Sequence, residues 1–250
     1  MKKQITASVV AFALALAMPA AAFAAESIVA PESGIYGEGS AKVQDINTDG
    51  ALDSIDQVSV KGDVKDGVSV KPTASVAEGV ADVEAQYDAM LADKVANEDL
   101  TQAEADVKKA QWQVNATKYE NLVDKYLKTD NATELDTFVM HGDVKDGAAV
   151  VTVKFDATQA KPGDKVTYVI LHEDGSIQYA TTKVGANGTI AIEMNGFSAF
   201  AFINTPAVAV TSEQWIAGVD GATNGTTVSA DKNLTKVAAP EKGISPKTGC

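Results

Sequence analysis

Apolar positions alternate with polar ones in two parts of this 250-residue chain and recur every three or four residues in the part between them. Alternation comes first, over residues 41–72, where Val58, Val60, Val68 and Val70 stand around Lys65-Asp66-Gly67. Side chains at every second position share one face of a strand, so this region is expected to be β structure with a hairpin turn at Lys65–Gly67, ended by Pro72. The period then changes. Val76, Val80, Val83, Tyr87, Met90, Leu91 and Val95 fit one face of a helix ending near Asn97. A second helix is expected from Thr101, because Thr101 and Glu104 have the spacing at which hydroxyl and carboxylate each satisfy the other residue's backbone amide. Ala103, Val107, Ala110 and Val114 supply its expected apolar stripe, and Tyr119, Leu122, Val123 and Tyr126 carry it towards Thr129-Asp130-Asn131. The short Asn97-Glu98-Asp99 link makes residues 73–130 an antiparallel helical hairpin.

From Leu135 to residue 204 the pattern returns to β. Val151 to Phe155, Val166 to Leu171, Ile177 to Thr181, Thr189 to Met194 and Ser198 to Ile203 predict five strands, with hairpin signals at Asp174-Gly175 and Asn187-Gly188. Short strands at this spacing indicate a sandwich. The expected fold is therefore α+β: an Ig-like antiparallel β-sandwich with an inserted antiparallel helical hairpin. Gly-Asp-Val-Lys-Asp-Gly occurs at 62–67 and again at 142–147, which reads as two similar turns flanking the helical insertion. Residues 205–250 are rich in Thr, Ser, Ala, Gly and Asn and read as a flexible stalk. The small, polar segment 25–40 reads as flexible too, with strand character only at Ser27-Ile28-Val29-Ala30.

Charge narrows the partners. The formal net charge is -13, which repels nucleic acid and anionic lipid. Every basic residue is Lys, so the bidentate guanidinium used to recognise phosphate and carboxylate is absent, and nucleotide-binding roles are disfavoured. The one Cys, Cys250, excludes an internal disulfide and a Cys-based metal cluster. Aromatic residues make up 6% of the chain, which predicts a lean core.

The candidate chemistry is sparse. Asp45, Asn47, Asp49, Ala51 (through its carbonyl), Asp53 and Asp56 have the spacing of a calcium loop, with Gly50 at the sharp turn. Alternate residues of a tight loop converge on one point, and a final carboxylate closes a shell of six to eight oxygens. The pattern resembles the loops of dockerins and EF-hand-like repeats, which implies Ca2+ as a cofactor. The other reading is a plain turn through Asn47-Thr48-Asp49-Gly50 with incidental acids. His141 and His172 have no metal-ligand spacing, and His172 is expected in a solvated turn. No strained serine elbow or other catalytic pattern occurs, so the chain is expected not to be an enzyme. Trp112 is open to two readings, helix packing or stacking on a sugar or partner, and Trp215, in the stalk, reads as an exposed candidate for such stacking.

The two ends address location. Lys2 and Lys3, the apolar run Val9 to Met18 and Ala22-Phe23-Ala24 form a signal peptide over residues 1–24, with a mature start at Ala25. Beyond it no apolar window is long enough to span a membrane. Ser245-Pro246-Lys247-Thr248-Gly249 resembles the Leu-Pro-x-Thr-Gly signal cleaved by sortases, with Ser for Leu. Val150 to Val153, Lys161 to Val166, Leu171-His172-Glu173-Asp174-Gly175 and Gly196 to Ala201 resemble a β-rich domain common in Gram-positive cell-wall surface proteins. Together these resemblances imply a secreted, cell-wall-associated surface protein with a structural, display or adhesion role, with sortase and peptidoglycan as partners and a glycan or surface protein as ligand. The alternative is a calcium-stabilised carbohydrate-associated module of dockerin-like or glycan-binding type.

Overall fold

Residues with alternating pattern form two antiparallel sheets, and those with helical spacing form a hairpin against one of them. The computed structural model describes residues 42–46, 52–62, 64–144, 149–194 and 198–219. In chain order the elements are β1 (Lys42–Ile46), β2 (Ile55–Gly62), β3 (Val64–Pro72), α1 (Val76–Ala96), α2 (Gln102–Leu127), β4 (Thr133–Val144), β5 (Ala149–Phe155), β6 (Lys165–His172), β7 (Ile177–Lys183), β8 (Thr189–Met194), β9 (Ser198–Asn204) and β10 (Gln214–Ile216). One sheet has the order β1-β2-β5-β8 and the other β10-β7-β6-β9-β4-β3. The class is mixed α+β, and the two sheets face each other as a sandwich.

Two cores result. Between the sheets, Val58, Val60, Val151 and Val153 meet Phe138, Ile170, Phe200 and Phe202, all fully buried or nearly so. The described phenylalanines all lie here: Phe138 and Phe200 pair in register across β4 and β9, with ring centroids 4.7 Å apart, and Phe155 meets Phe202 edge-on at 5.7 Å. On the other face of the six-stranded sheet, Val139, Val169, Leu171, Ala199, Ala201 and Ile203 pack under Val83, Tyr87, Trp112, Tyr119 and Val123 of the helices. The central strands β6 and β9 are thus covered on both faces. Their sequences are continuous apolar runs for that reason.

The helices begin where their capping residues stand. Ser75 accepts from the Glu78 amide, and Thr101 and Glu104 form the expected reciprocal capping box, with the Thr101 amide 2.8 Å from the Glu104 carboxylate. Glu98, at φ 63°, takes the left-handed conformation that reverses the chain between them. The second half of the expected α2 stripe, Tyr119, Val123 and Tyr126, is buried, but its first half is on the wrong face. Ala103 and Ala110 are exposed, Val107 is 68% exposed and Val114 56%, while Ala105, Trp112, Asn115, Ala116, Tyr119, Val123 and Tyr126 are buried. Trp112 buries a large ring that stacks on Tyr87 and donates to the Glu173 carbonyl, and its face continues through Tyr119, Val123 and Tyr126.

Two expected hairpins are corrected. Lys65-Asp66-Gly67 lies inside β3, and β2 does not pair with β3 but crosses to the opposite sheet. Val58 and Val60 face the inter-sheet core from one side, and Val68 with Val70 from the other, so alternation persists through a corner that is not a hairpin. Asn187-Gly188 does turn, with Gly188 at φ 76°, but it too joins strands of different sheets. The described parts of the two Gly-Asp-Val-Lys-Asp-Gly copies start β3 and end β4, with Val64 opposite Val144 and Lys65 opposite Asp143.

Truncating Phe138 to Ala should destabilise the fold by about 3–5 kcal/mol, whereas Val107→Ser should shift it by no more than about 0.5 kcal/mol. Chemical denaturation of the two variants checks both values, and a large loss for Val107→Ser would contradict the assignment of the buried face.

Candidate functional site

A set of polar and aromatic contacts lies at one end of the six-stranded sheet, where the β6–β7 turn, α2 and the segment after β9 meet. The turn is tight: Gly175 takes φ 76°, and its amide donates to the His172 carbonyl at 2.9 Å. Trp112 sits directly over it, donating from Nε1 to the Glu173 carbonyl at 2.9 Å and stacking on Tyr87 at 5.7 Å. A Cβ on Gly175 would come within 2.8 Å of the Trp112 ring, so the turn needs glycine for its conformation and for this contact.

Residues 211–219 pass across the same place as a strap. This corrects the expectation of a stalk from residue 205: β10 pairs with β7, and the chain stays on the fold through Val219. Asn115, a polar residue in the buried stripe of α2, donates to the carbonyls of both Gly175 and Ala217 at 2.9 Å. The Val219 amide reaches the Asp174 carbonyl at 2.8 Å. Gly218 lies so close to the turn that a Cβ would be 2.6 Å from the Asp174 carbonyl oxygen. Burial pushes the Asp174 carboxyl above its usual range, against the opposing hydrogen bonds from Ser176. A cavity of about 220 Å³ opens beside this junction, between Tyr87, Leu91 and Lys94 of α1, Lys108 of α2, and Asp174 and Val219.

Beneath the strap a polar chain runs inward from Glu213, which is exposed, to buried Gln178, His172 and Ser198. Glu213 accepts from the Tyr168 hydroxyl at 3.1 Å, from Gln178 Nε2 at 2.7 Å and from Trp215 Nε1 at 2.7 Å. Gln178 Nε2 also donates to the Glu193 carbonyl, which leaves its Oε1 to accept from His172 Nε2 at 3.1 Å. On that hydrogen-bond assignment His172 carries its proton on Nε2, and Nδ1 accepts from the Ser198 hydroxyl at 2.8 Å. The Trp215 ring stacks on the imidazole at 5.2 Å. His172 and Ser198 are both fully buried, so this pair faces protein and not solvent.

His172 therefore is not the solvated turn histidine that was expected. It ends β6 with its ring turned inward, because Leu171 and Ile170 before it already alternate between the two cores. Burial holds its pKa down at about 4, the Gln178 bond opposing only in part. Trp215 is not a stalk residue but half-buried on this imidazole, and Trp112 is a packing residue. His141 is partly buried, with Gln86 Nε2 3.0 Å from its Nδ1 and Asp82 3.7 Å from its Nε2.

The expected calcium ligands are only partly placed. Asn47, Asp49 and Ala51 lie outside the described residues, as do the signal peptide, segment 25–40, Gly196 and Phe197, and Ser245 to Gly249. Asp45 and Asp53 are exposed, and Asp56 pairs with Lys154 of β5 at 3.3 Å. Asp136 of β4, which sequence reading missed, accepts from the Asp53 and Ser54 amides at 3.2 and 2.7 Å. Among the described residues no three metal-ligating side chains converge. No helix among them is long and apolar enough to cross a membrane. No protein-family model, no curated protein and no solved structure matches the chain.

The buried imidazole sets a pH dependence. Its folded pKa, about 4, lies below the ordinary 6.5, so between those values the unfolded chain binds a proton that the folded chain does not. Stability should fall as pH falls through that window, by at most about 1.4 kcal/mol per pH unit from this group. Urea denaturation at pH 7, 6 and 5 measures the slope, and His172→Gln should flatten it.

Proposed function

We propose that this chain is a secreted, non-enzymatic surface protein of the bacterial cell wall, whose α+β body is held by the segment ending in Ser245-Pro246-Lys247-Thr248-Gly249 for display or adhesion. The observation that carries the reading is the pairing of an export pattern, Lys2 to Ala24, with a sortase-like motif in one chain. Sortase and peptidoglycan are the partners this implies, and the ligand class is a glycan or another surface protein. The high acidic charge agrees with a solvated, exported body.

The segments that resemble the surface-protein domain also support it. Leu171 to Gly175 and Ser198 to Ala201 supply the β6–β7 turn and the β9 strand on which the strap, the helical hairpin and the inter-sheet core all converge. An Ig-like display module is the finer form of this proposal. In cells of the source organism the protein should fractionate with the wall, resist washing in buffer and be released by muralytic digestion. Thr248→Ala should move it to the medium, and a protein that washes off in buffer overturns the anchored reading.

A second reading, calcium at the Asp45 to Asp56 loop, is favoured by how the loop's flanks are held. Ile46 and Leu52 are buried in the inter-sheet core, and Asp136 holds the backbone at Asp53 and Ser54. Such flanks reduce the ordering that a bound ion would have to impose. Calcium should then raise the melting midpoint and a chelator reverse it, with Asp45→Asn lessening the rise. An unchanged midpoint removes calcium from this loop.

A further inference from the structure

We infer that the strap Thr211–Val219 is a latch that peels away first when the chain is pulled through its C-terminal segment, lengthening the tether while the inter-sheet core stays closed and the helix-side core gives up only Val219 and Ile216. The inference rests on the anchored reading above for the source of the pull; the latch itself follows from geometry.

The chain enters and leaves the described fold at the same end. Lys42 of β1 pairs with Gly62, next to Lys61, which pairs with Val150, itself opposite Glu193. Glu193 is bridged by Gln178 to the strap, and Val219 lies against Asp174 at that end. Strands β1 and β10 are outermost in their respective sheets, with β1 lying over β3 at the side away from β10. A pull between the two ends therefore runs across the strands, and it loads the hydrogen bonds of the strap one after another instead of together.

The order of loading follows the chain. Val219 to Asp174 breaks first, then Asn115 to Ala217, then the pairs of Gln214, Trp215 and Ile216 with β7, then the bonds of Glu213, and last Thr211 with Thr181. Gln214, Trp215 and Ile216 form an edge strand with one neighbour, and the other bonds come from the chain on either side of it. The next stop is of a different kind. The Thr205 amide donates to the Lys165 carbonyl at 2.8 Å, its buried hydroxyl meets Thr167 at 2.7 Å, and Lys165 reaches back to the Val208 carbonyl at 2.7 Å. Directly behind it β9 is hydrogen-bonded to β4 on one side and β6 on the other, with its side chains in both cores. Peeling stops there, because going further means opening both cores at once. Local opening of an edge segment ahead of the whole is the general behaviour of such structures.

Single-molecule pulling tests the latch directly. The chain from Ala25 would be tethered through an N-terminal tag and the thiol of Cys250, its one cysteine. An early, low-force step adding roughly 30 Å of contour should precede the main unfolding event. Trp215→Ala should abolish that step or move it to lower force without changing the main event, and Glu213→Gln, which leaves the packing intact, should do the same more mildly. A parent chain that opens in one event without the early step overturns the latch, and so does an early step with the same force in both variants. Wall fractionation reads anchoring independently, so a latch present in a protein that is not wall-bound would sink the anchored reading alone.

Discussion

Strands β6 and β9 are covered on both faces, and the rest of the architecture follows from filling the space on either side of them. A sheet buried on both faces needs a second sheet on one side and another layer on the other, since each apolar face left in water would forgo about 25 cal/mol for every Å². The two faces are filled differently. Phe200 and Phe202 of β9 point between the sheets, where aromatic rings span the gap, and Ala199 and Ala201 point towards the helices. Small residues on that side let α1 and α2 approach closely, so the bulk comes from Tyr87, Trp112 and Tyr119 on the helices themselves. The helical hairpin is inserted between β3 and β4, which still pair as neighbours, so the covering layer is added without disturbing the order of the sheet.

Closing the far edge of that sheet raises a separate physical problem, and polar chemistry solves it. Glu213, Gln178, His172 and Ser198 form one hydrogen-bonded chain in which the described polar atoms are satisfied. The chain is complete only with the strap in place, because Glu213 and Trp215 both come from it. Buried polar groups left without partners are costly, which makes the strap a specific closure and not a loose extension. The junction at Trp112, Asn115 and Gly175 then ties the strap to the helical layer, so the sheet, the helices and the outgoing chain are joined at one place. A surface protein held by its C-terminal segment would transmit load through that place.

Much of this was legible in the residues, and the failures have a common cause. Thr101 with Glu104, and the five strands from Val151 to Ile203, are local signals: the chemistry that makes them lies within a few residues of chain, and they appear where expected. The misread features depend on partners far away. Val107 and Val114 have helical spacing, but Trp112 and Asn115 are needed opposite the Glu173–Gly175 turn, and that turn lies some sixty residues on. Lys65-Asp66-Gly67 has hairpin composition, yet Val58 and Val68 belong to opposite walls of one core. Trp215 stood in a region whose composition is that of a stalk, and a single large aromatic there was the one available sign that the chain was still packed. Asp136 and Glu213 had no sign at all, being two acids among 34.

By itself the sequence determined the class, the number and placement of most elements, the helix boundaries and the acidic character of the chain, because periodicity, capping and net charge are properties of neighbouring residues or of their sum. Tertiary structure alone decided which face of α2 is buried, which turns are corners between sheets, that His172 is a neutral interior residue, and that the fold extends to Val219. Each of those depends on what a side chain meets across the sandwich, and the identity of that neighbour is not written near it in the chain.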